Sequence, residues 1–472
     1  VTSTTTDPAA NRPPTGLLAS PSLLSRTYRM TTAGLLLVVS LVAFENLAVA
    51  TAMPTAVREL GGLAYYSLPF TAFLAASVIA MVLAGGRSDR AGPRWVMLTG
   101  LLVFAVGLVV AGTAHGMAVF VAGRAVQGLG AGMVVVALYV VIAEVYDEAL
   151  RPRVFAAVSA AWVLPALVGP VVSGLVTEHL SWRLVFGGLV PFVLLGVALV
   201  WPALARLDRR EAARAPARRR LAPYAVLAAL GMAALQYAGQ HIRPASLPVA
   251  LAGLVALVPA VRRLLPAGTV RLRQGLPAAI GYRGLLAGAF FGADAFIPLT
   301  LSQVHGYRPA LAGLPLTVAA VGWSAGSWWQ GHRPVRRRYL LVGTGCALIM
   351  LGAGGLTAVA WSAVPGWLAG PLWTVAGTGM GLAMASTSVL VLDLSDAQER
   401  GANGAALQIA DVLCSAGTIG LAGVLLAAIR PVSLAITAID LMMAAVAATG
   451  VLLAARLRPP LIESGAASCV VT

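Results

Sequence analysis

The 472-residue sequence contains no lysine; all 33 of its basic residues are arginine. A nucleotide-binding loop of the Walker type needs a Lys on the phosphates, so its absence excludes a standard ATP-driven motor within this chain. Cysteine is almost absent. Cys346, Cys414 and Cys469 have no metal-ligand spacing, and the first two fall inside apolar runs, where free buried thiols are expected. The five histidines show no metal spacing, and no Ser/His/Asp set stands out. Neither a metal, a cofactor nor an enzymatic activity is therefore expected. Charge is scarce too: 11% of residues are charged, against roughly 25% in soluble domains.

What is present is apolar. With 59% hydrophobic residues, a soluble fold could not cover its own greasy surface, and lipid is the solvent that removes the need. The formal net charge of +16 would suggest nucleic acid in a soluble chain. Here the arginines sit in short clusters between apolar runs, the signature of a membrane protein, and nucleic acid is not expected as a partner. The fold class expected is all-α and integral to the membrane.

Runs long enough to span a bilayer lie near 33–54, 65–85, 95–113, 117–143, 154–177 and 184–205, then 223–240 and 246–265, then 278–302, 309–330, 339–360, 366–392, 403–428 and 431–455. This pattern of six, two and six predicts the organisation. A disordered tail rich in Thr, Pro, Ala and Ser fills 1–30, with no cleavable signal. A six-helix bundle at 31–205 precedes a basic linker at 206–222. Two inserted helices at 223–265 and a second linker at 266–277 follow. A second six-helix bundle at 278–456 and a tail at 457–472 complete the chain.

Placing the N-terminus inside and alternating sides puts 27 arginines in cytoplasmic segments, Arg283 among them, and 5 in outer loops, with Arg124 alone inside a span. That asymmetry predicts both termini in the cytoplasm. An internal repeat fits the same map. Gly128, Gly130 and Gly132 recur 249 residues later as Gly377, Gly379 and Gly381, and the offset also pairs Glu45 with Asp294, Arg151 with Arg400 and Gly174 with Gly423. Parallel halves related by an axis along the membrane normal are a recurrent transporter plan.

Several segments carry chemistry. Residues 85–94 read GGRSDRAGPR, expected to be a loop in which glycines allow a sharp turn and Asp89 pairs with Arg or caps a helix N-terminus. Arg124 and Gln127 in GRAVQGLGAG (123–132) are three apart and share a helix face, and a charge inside a span requires a partner or a cavity. Glu45 stands in AFENLAVATAMP (43–54), where burial disfavours its ionised form. Asp294 is its mate in the repeat. Asp411 is not mirrored, since position 162 is Trp, but it lies on a polar stripe of Gln408, Asp411, Ser415 and Thr418 that suits a water-filled cavity. Asp440 is a fourth intramembrane acid. Phe290, Phe291, Phe296, Trp323 and Trp328 are aromatic candidates for a pocket wall, set against a lipid-facing role.

These segments resemble motifs of the major facilitator superfamily, specifically its fourteen-helix drug:proton antiporter branch. In 85–94, Gly85, Asp89, Arg90, Gly92 and Arg94 match the signature loop, which the resemblance implies acts as a gating latch. In 123–132, Arg124, Gln127 and Gly128 match a motif whose Arg aids proton movement. Residues 165–174, PALVGPVVSG, are similar to the antiporter motif of drug exporters through Gly169, Pro170, Ser173 and Gly174, with Pro165 where the family often has Gly. The resemblance implies two pseudo-symmetric six-helix bundles with two extra central helices in a bacterial inner membrane. Its activity would be proton-coupled export of a hydrophobic or cationic small molecule, such as an antibiotic or dye, with the proton gradient as energy source and protons and lipid as partners of a monomer. Proton coupling would fall to Glu45, Asp294, Asp411 and Arg124, and Gln127, Gln408, Ser415 and Trp323 would line the cavity. Uptake, movement of a lipid or siderophore precursor, and a non-transporting membrane sensor remain as alternatives.

Overall fold

A computed structural model describes residues 23, 25–207, 221–241, 243–332, 337–396 and 399–457, and within helices leaves the side chains of 86, 88–91 and 152 undescribed. Fourteen helical stretches among the described residues are long and apolar enough to cross a membrane. They follow the apolar runs closely because backbone polar groups in hydrocarbon must be satisfied within the segment.

The first group holds α1 (Arg29–Glu59), α2 (Leu68–Ala91), α3 (Pro93–Gly112), α4 (Met117–Val145), α5 (Arg151–His179), and a sixth span made of α6 (Trp182–Gly187) and α7 (Val190–Arg206). Two helices follow, α8 (Ala222–Gln240) and α9 (Leu247–Leu264). The second group holds α10 (Leu276–Asp294) with α11 (Ile297–Gln303), α12 (Pro309–Gly331), α13 (Arg338–Val359), α14 (Ala369–Asp393), α15 (Arg400–Ala428) and α16 (Val432–Leu453). The basic linker and both tails lie largely outside the described residues.

Within the first group α1 packs on α5 and α7, and α4 packs on α2 and α3; within the second, α10 packs on α15 and α16, and α14 on α12 and α13. The groups meet where α5 lies against α12 and α2 against α15, while α8 touches both α2 and α15 and carries α9 on its outer side. The ninth span, α10 with α11, is 89% buried, whereas the α9 span is 17% buried. The one sits at the centre and the other faces outward.

Glycines set how closely the inner helices approach. A Cβ at Gly128 would fall 2.1 Å from the Phe73 carbonyl oxygen, and one at Gly377 would fall 2.1 Å from that of Ala319. Gly130 meets the Gly100 carbonyl just as Gly379 meets that of Gly345. The glycine triplets therefore do the same work in both groups. The expected single register does not extend to their partners. Phe73 and Ala319 are 246 residues apart, and Gly100 and Gly345 are 245 apart. Connections of unequal length absorb the difference while the helix contacts are kept.

Polar contacts between the groups gather at one end. The Tyr66 hydroxyl donates to the Ala295 carbonyl at 2.8 Å, and Thr71 Oγ1 donates to Gln236 Oε1 of α8 at 2.9 Å. Arg308 donates to Glu178 at 3.3 Å. Gly174 abuts Ala310, Gly313 abuts Thr51, and Gly423 abuts Ser67.

Candidate functional site

Glu45 and Arg124, read separately from the sequence, form one buried ion pair. Glu45 is 1% exposed and Arg124 2%. The Arg124 guanidinium donates to Glu45 Oε1, to Gln127 Oε1 at 3.0 Å and to the Pro69 carbonyl at 3.3 Å. Its Cζ lies 4.5 Å from the Phe73 ring centroid, where the aromatic face supplies further stabilisation. Two charges removed from water are tolerable because they neutralise each other and are hydrogen-bonded. The satisfaction is incomplete: Glu45 Oε2 and Gln127 Nε2 are buried with no partner among the described residues. Gln127 thus belongs to the pair by direct contact.

The second group repeats this arrangement with a different donor. Asp294, the last residue of α10, accepts a 2.7 Å hydrogen bond from Trp373 Nε1. Positions 45 and 294, and positions 124 and 373, share the 249-residue offset. Trp373 therefore stands where the first group has Arg124, and Asp294 has a donor without a counter-charge.

Asp411 is paired as well. Arg283 Nε donates to both of its carboxylate oxygens, at 2.7 and 2.8 Å, while Arg283 Nη1 donates to Ser388 Oγ and the Met384 carbonyl. The cytoplasmic placement of Arg283 is corrected by this: it lies inside α10 and is 7% exposed. Among the described residues two arginines are buried, and each holds a carboxylate. The polar stripe of α15 turns toward α10 rather than lining open space, since Thr418 Oγ1 donates to the Gly288 carbonyl at 2.8 Å. Ser415 is buried beside it and Gln408 is half-buried.

Residues 85–94 are not a loop. Residues 85–91 continue α2, and Gly92 alone makes the turn with a φ of 78° before Pro93 opens α3. Only Gly adopts that conformation without strain, and Pro is favoured at a first helical position. Gly85 is buried. Arg94 lies over the Trp95 and Trp201 rings, at 5.3 and 5.0 Å. The pairing expected of Asp89, and the part expected of Arg90, fall on side chains outside the described residues.

The 165–174 motif forms a three-helix crossing. Ser173 Oγ donates to the Ala48 carbonyl of α1 at 2.7 Å, Gly169 faces Phe44, the Pro170 carbonyl faces Gly313 of α12, and Gly174 admits Ala310. Of the aromatic candidates, Trp323 packs edge-on to Phe290 at 5.6 Å and against Phe291. Phe290 stacks on Trp373 at 4.8 Å, so an aromatic cluster stands beside Asp294. Phe296 lies elsewhere, against Tyr66, and Trp328 is 65% exposed. At the end of the bundle opposite the seam, Tyr28 donates to Asp147 at 3.1 Å and stacks on Tyr146. Burial, then that hydrogen bond, holds its hydroxyl above the ordinary range, so it remains a donor.

Sequence reasoning missed Arg283 and Trp373. Both carried a signal: Arg283 lies within the apolar run at 278–302, and the repeat offset carries Arg124 onto position 373.

Two helical groups packed through glycines, with carboxyls and arginines paired in their interior, define a multi-pass membrane transporter. The chain belongs to the Major Facilitator Superfamily, whose family model matches residues 35–419. A probable multidrug-efflux transporter of Mycobacterium tuberculosis is 29% identical over 408 residues, covering 82% of this chain and 85% of that protein. A multidrug transporter protein of Bacillus subtilis is 26% identical over 167 residues, 35% of this chain and 31% of that one. Among solved structures, a POT family transporter in complex with a thioalcohol-conjugated peptide superposes with a TM-score of 0.68 at 12% identity, covering 92% of this chain and 97% of that one. That likeness concerns the fold.

Proposed function

We propose that this protein exports hydrophobic or cationic small molecules of the drug or antibiotic type, in exchange for protons, across a bacterial inner membrane, acting as a monomer with both termini in the cytoplasm. The observation that carries the reading is the Glu45–Arg124 pair, with one carboxylate oxygen and one Gln127 amide nitrogen left over. The names of the multidrug-efflux relatives support the substrate class.

The mechanism follows from charge. With Glu45 ionised, its attraction to Arg124 holds α1 to α4. A proton on the unpartnered Oε2 neutralises the carboxyl, weakens that attraction and leaves Arg124 with Gln127 and the Pro69 carbonyl. Asp411 and Arg283 do the same for α15 and α10. Asp294, held by a neutral donor, carries a proton at less cost than Glu45 or Asp411. In the predicted orientation, the seam of Tyr66, Gly174 and Gly313 lies on the outer side, so the form described is closed outward. Rocking of the groups exposes the interior to each side in turn, and coupling requires that proton and substrate favour different states.

The test uses proteoliposomes under an imposed pH gradient, with ethidium as the transported probe. Wild type accumulates ethidium against its gradient. Glu45→Gln loses this accumulation by at least about tenfold, the loss expected of about 1.4 kcal/mol of coupling, while still allowing downhill movement; Asp294→Asn and Asp411→Asn are compared beside it. Full gradient-driven accumulation by Glu45→Gln removes that residue from the proton path. Absence of movement for every compound in a panel of dyes and antibiotics overturns the export reading.

A further inference from the structure

Asp440, in the third turn of α16, takes no part in the pairs above. It is 3% exposed and has no hydrogen-bond or ion-pair partner among the described residues. It lines a cavity of about 10 Å³, together with Ile297, Thr300 and Leu301 of α11, Leu356 and Val359 of α13, and Ala369 of α14. That is room for about one water. A metal cation would need several oxygen ligands. The other walls are aliphatic apart from Thr300, whose hydroxyl already donates to the Phe296 carbonyl at 3.0 Å. The site suits a proton and one water.

The titratable group nearest its walls is His305, just past α11, whose Nε2 is bonded to the Val359 carbonyl at 2.8 Å. On α10, Tyr282 donates to the Gly450 carbonyl, with Cys346 of α13 beside the same residue, nearly three turns from Asp440 along α16. Arg283 of α10 and Asp411 of α15 are closed on each other, with Cys414 at Gly284. Asp294 is held by Trp373. Arg338 and Tyr339 lie in the first turn of α13, Asp393 in the last turn of α14, Arg400 in the first turn of α15, and Arg456 follows α16. A buried carboxyl with no counter-charge persists as the neutral acid.

The cavity sits under the seam between the groups. Its α11 wall begins at Ile297, directly after the break at Ala295 and Phe296 that Tyr66 of the first group grips by hydrogen bond and by ring contact at 5.3 Å. α11 touches both α1 and α16. We propose that Asp440 is a proton-binding site gated by the Tyr66–Ala295 seam: it holds its proton while that end is closed, and exchanges it with outer water when α11 moves away. The donor and acceptor of the proton are the outer solution and the Asp440 carboxyl. Acid outside therefore favours closure of the outer end. This rests on the alternating-access reading above and adds a site to it.

The test follows the outer end directly. Cysteines at Leu180 and Trp367, 70% and 63% exposed, are spin-labelled in the full chain in nanodiscs, with Cys346, Cys414 and Cys469 replaced by Ala. In wild type the labels move from short to long separation as the buffer goes from acid to alkaline. Asp440→Asn stays at short separation throughout, Asp440→Glu keeps the shift, and His305→Gln keeps it too. The proposal is overturned if Asp440→Asn shifts as wild type does, or if His305→Gln abolishes the shift. It is equally overturned if wild type is indifferent to pH while tetraphenylphosphonium still separates the labels, a result that leaves the export reading standing.

Discussion

Each intramembrane acid has a neighbourhood that fixes what it can do, and the neighbourhoods differ. Glu45 and Asp411 face arginines, Asp294 faces an indole, and Asp440 faces a small void. Truncating one member of a buried ion pair costs more than neutralising the other in place, because it removes the charge, its hydrogen bonds and its packing together. Arg124→Leu should therefore destabilise the protein by about 3–5 kcal/mol, whereas Glu45→Gln leaves Arg124 bonded to Gln127 and Pro69 and costs less. Thermal unfolding of the two variants in detergent gives the order, and equal melting temperatures contradict it. The acids themselves were legible in the sequence, since a charge inside an apolar run is conspicuous. Their partners were not. Which residue meets Glu45 depends on how far α1 and α4 rotate about their own axes, and an all-round apolar helix carries little periodicity to reveal that rotation. Arg283 was misplaced for a related reason: hydropathy locates a span but does not say which of its first residues has entered the bundle.

At the scale of helices, the glycine contacts decide spacing. A methyl at Gly128 meets backbone, which cannot swing aside, so Gly128→Ala must push α2 from α4 and should cost about 1–3 kcal/mol, as overpacking does. Gly377→Ala should cost the same between α12 and α14. Gly417, inside α15 with nothing within 4 Å, is the control: Gly417→Ala should be neutral or stabilising by up to about 1 kcal/mol, from helix propensity alone. Equal effects at all three positions would separate the repeated triplet from close packing. The triplet was readable as a repeat, and the structure gives its cause in two matching carbonyl contacts. The 85–94 segment shows the opposite limit. Its Gly and Pro content signalled a turn, but the turn needs only Gly92, and α2 runs on to its edge because nothing before Gly92 stops a helix.

For the molecule as a whole, number and order of spans were legible because hydrocarbon thickness imposes them. The closure of one end was not, since it rests on contacts between residues such as Tyr66 and Ala295 that lie 229 positions apart. Orientation remains open to direct measurement. Arginine placement predicts that a cysteine at Leu180 reacts with an impermeant maleimide applied to intact cells, and that one at Arg206 reacts only after the cells are opened. The reverse labelling pattern inverts the protein and moves the closed seam to the cytoplasmic side.

The hairpin of α8 and α9 makes the two flanks unequal. Where α2 passes α15, Gln236 is bonded to Thr71 and its amide nitrogen lies 2.6 Å from where a Cβ on Gly420 would stand, all within the interior. Where α5 passes α12, Arg308 is tied to Glu178, and Arg308 is 75% exposed to solvent. A splint bound along one side of a joint leaves the other side to do the bending. The two halves are near-copies in their glycine contacts, yet the hairpin braces one flank of their boundary and not the other.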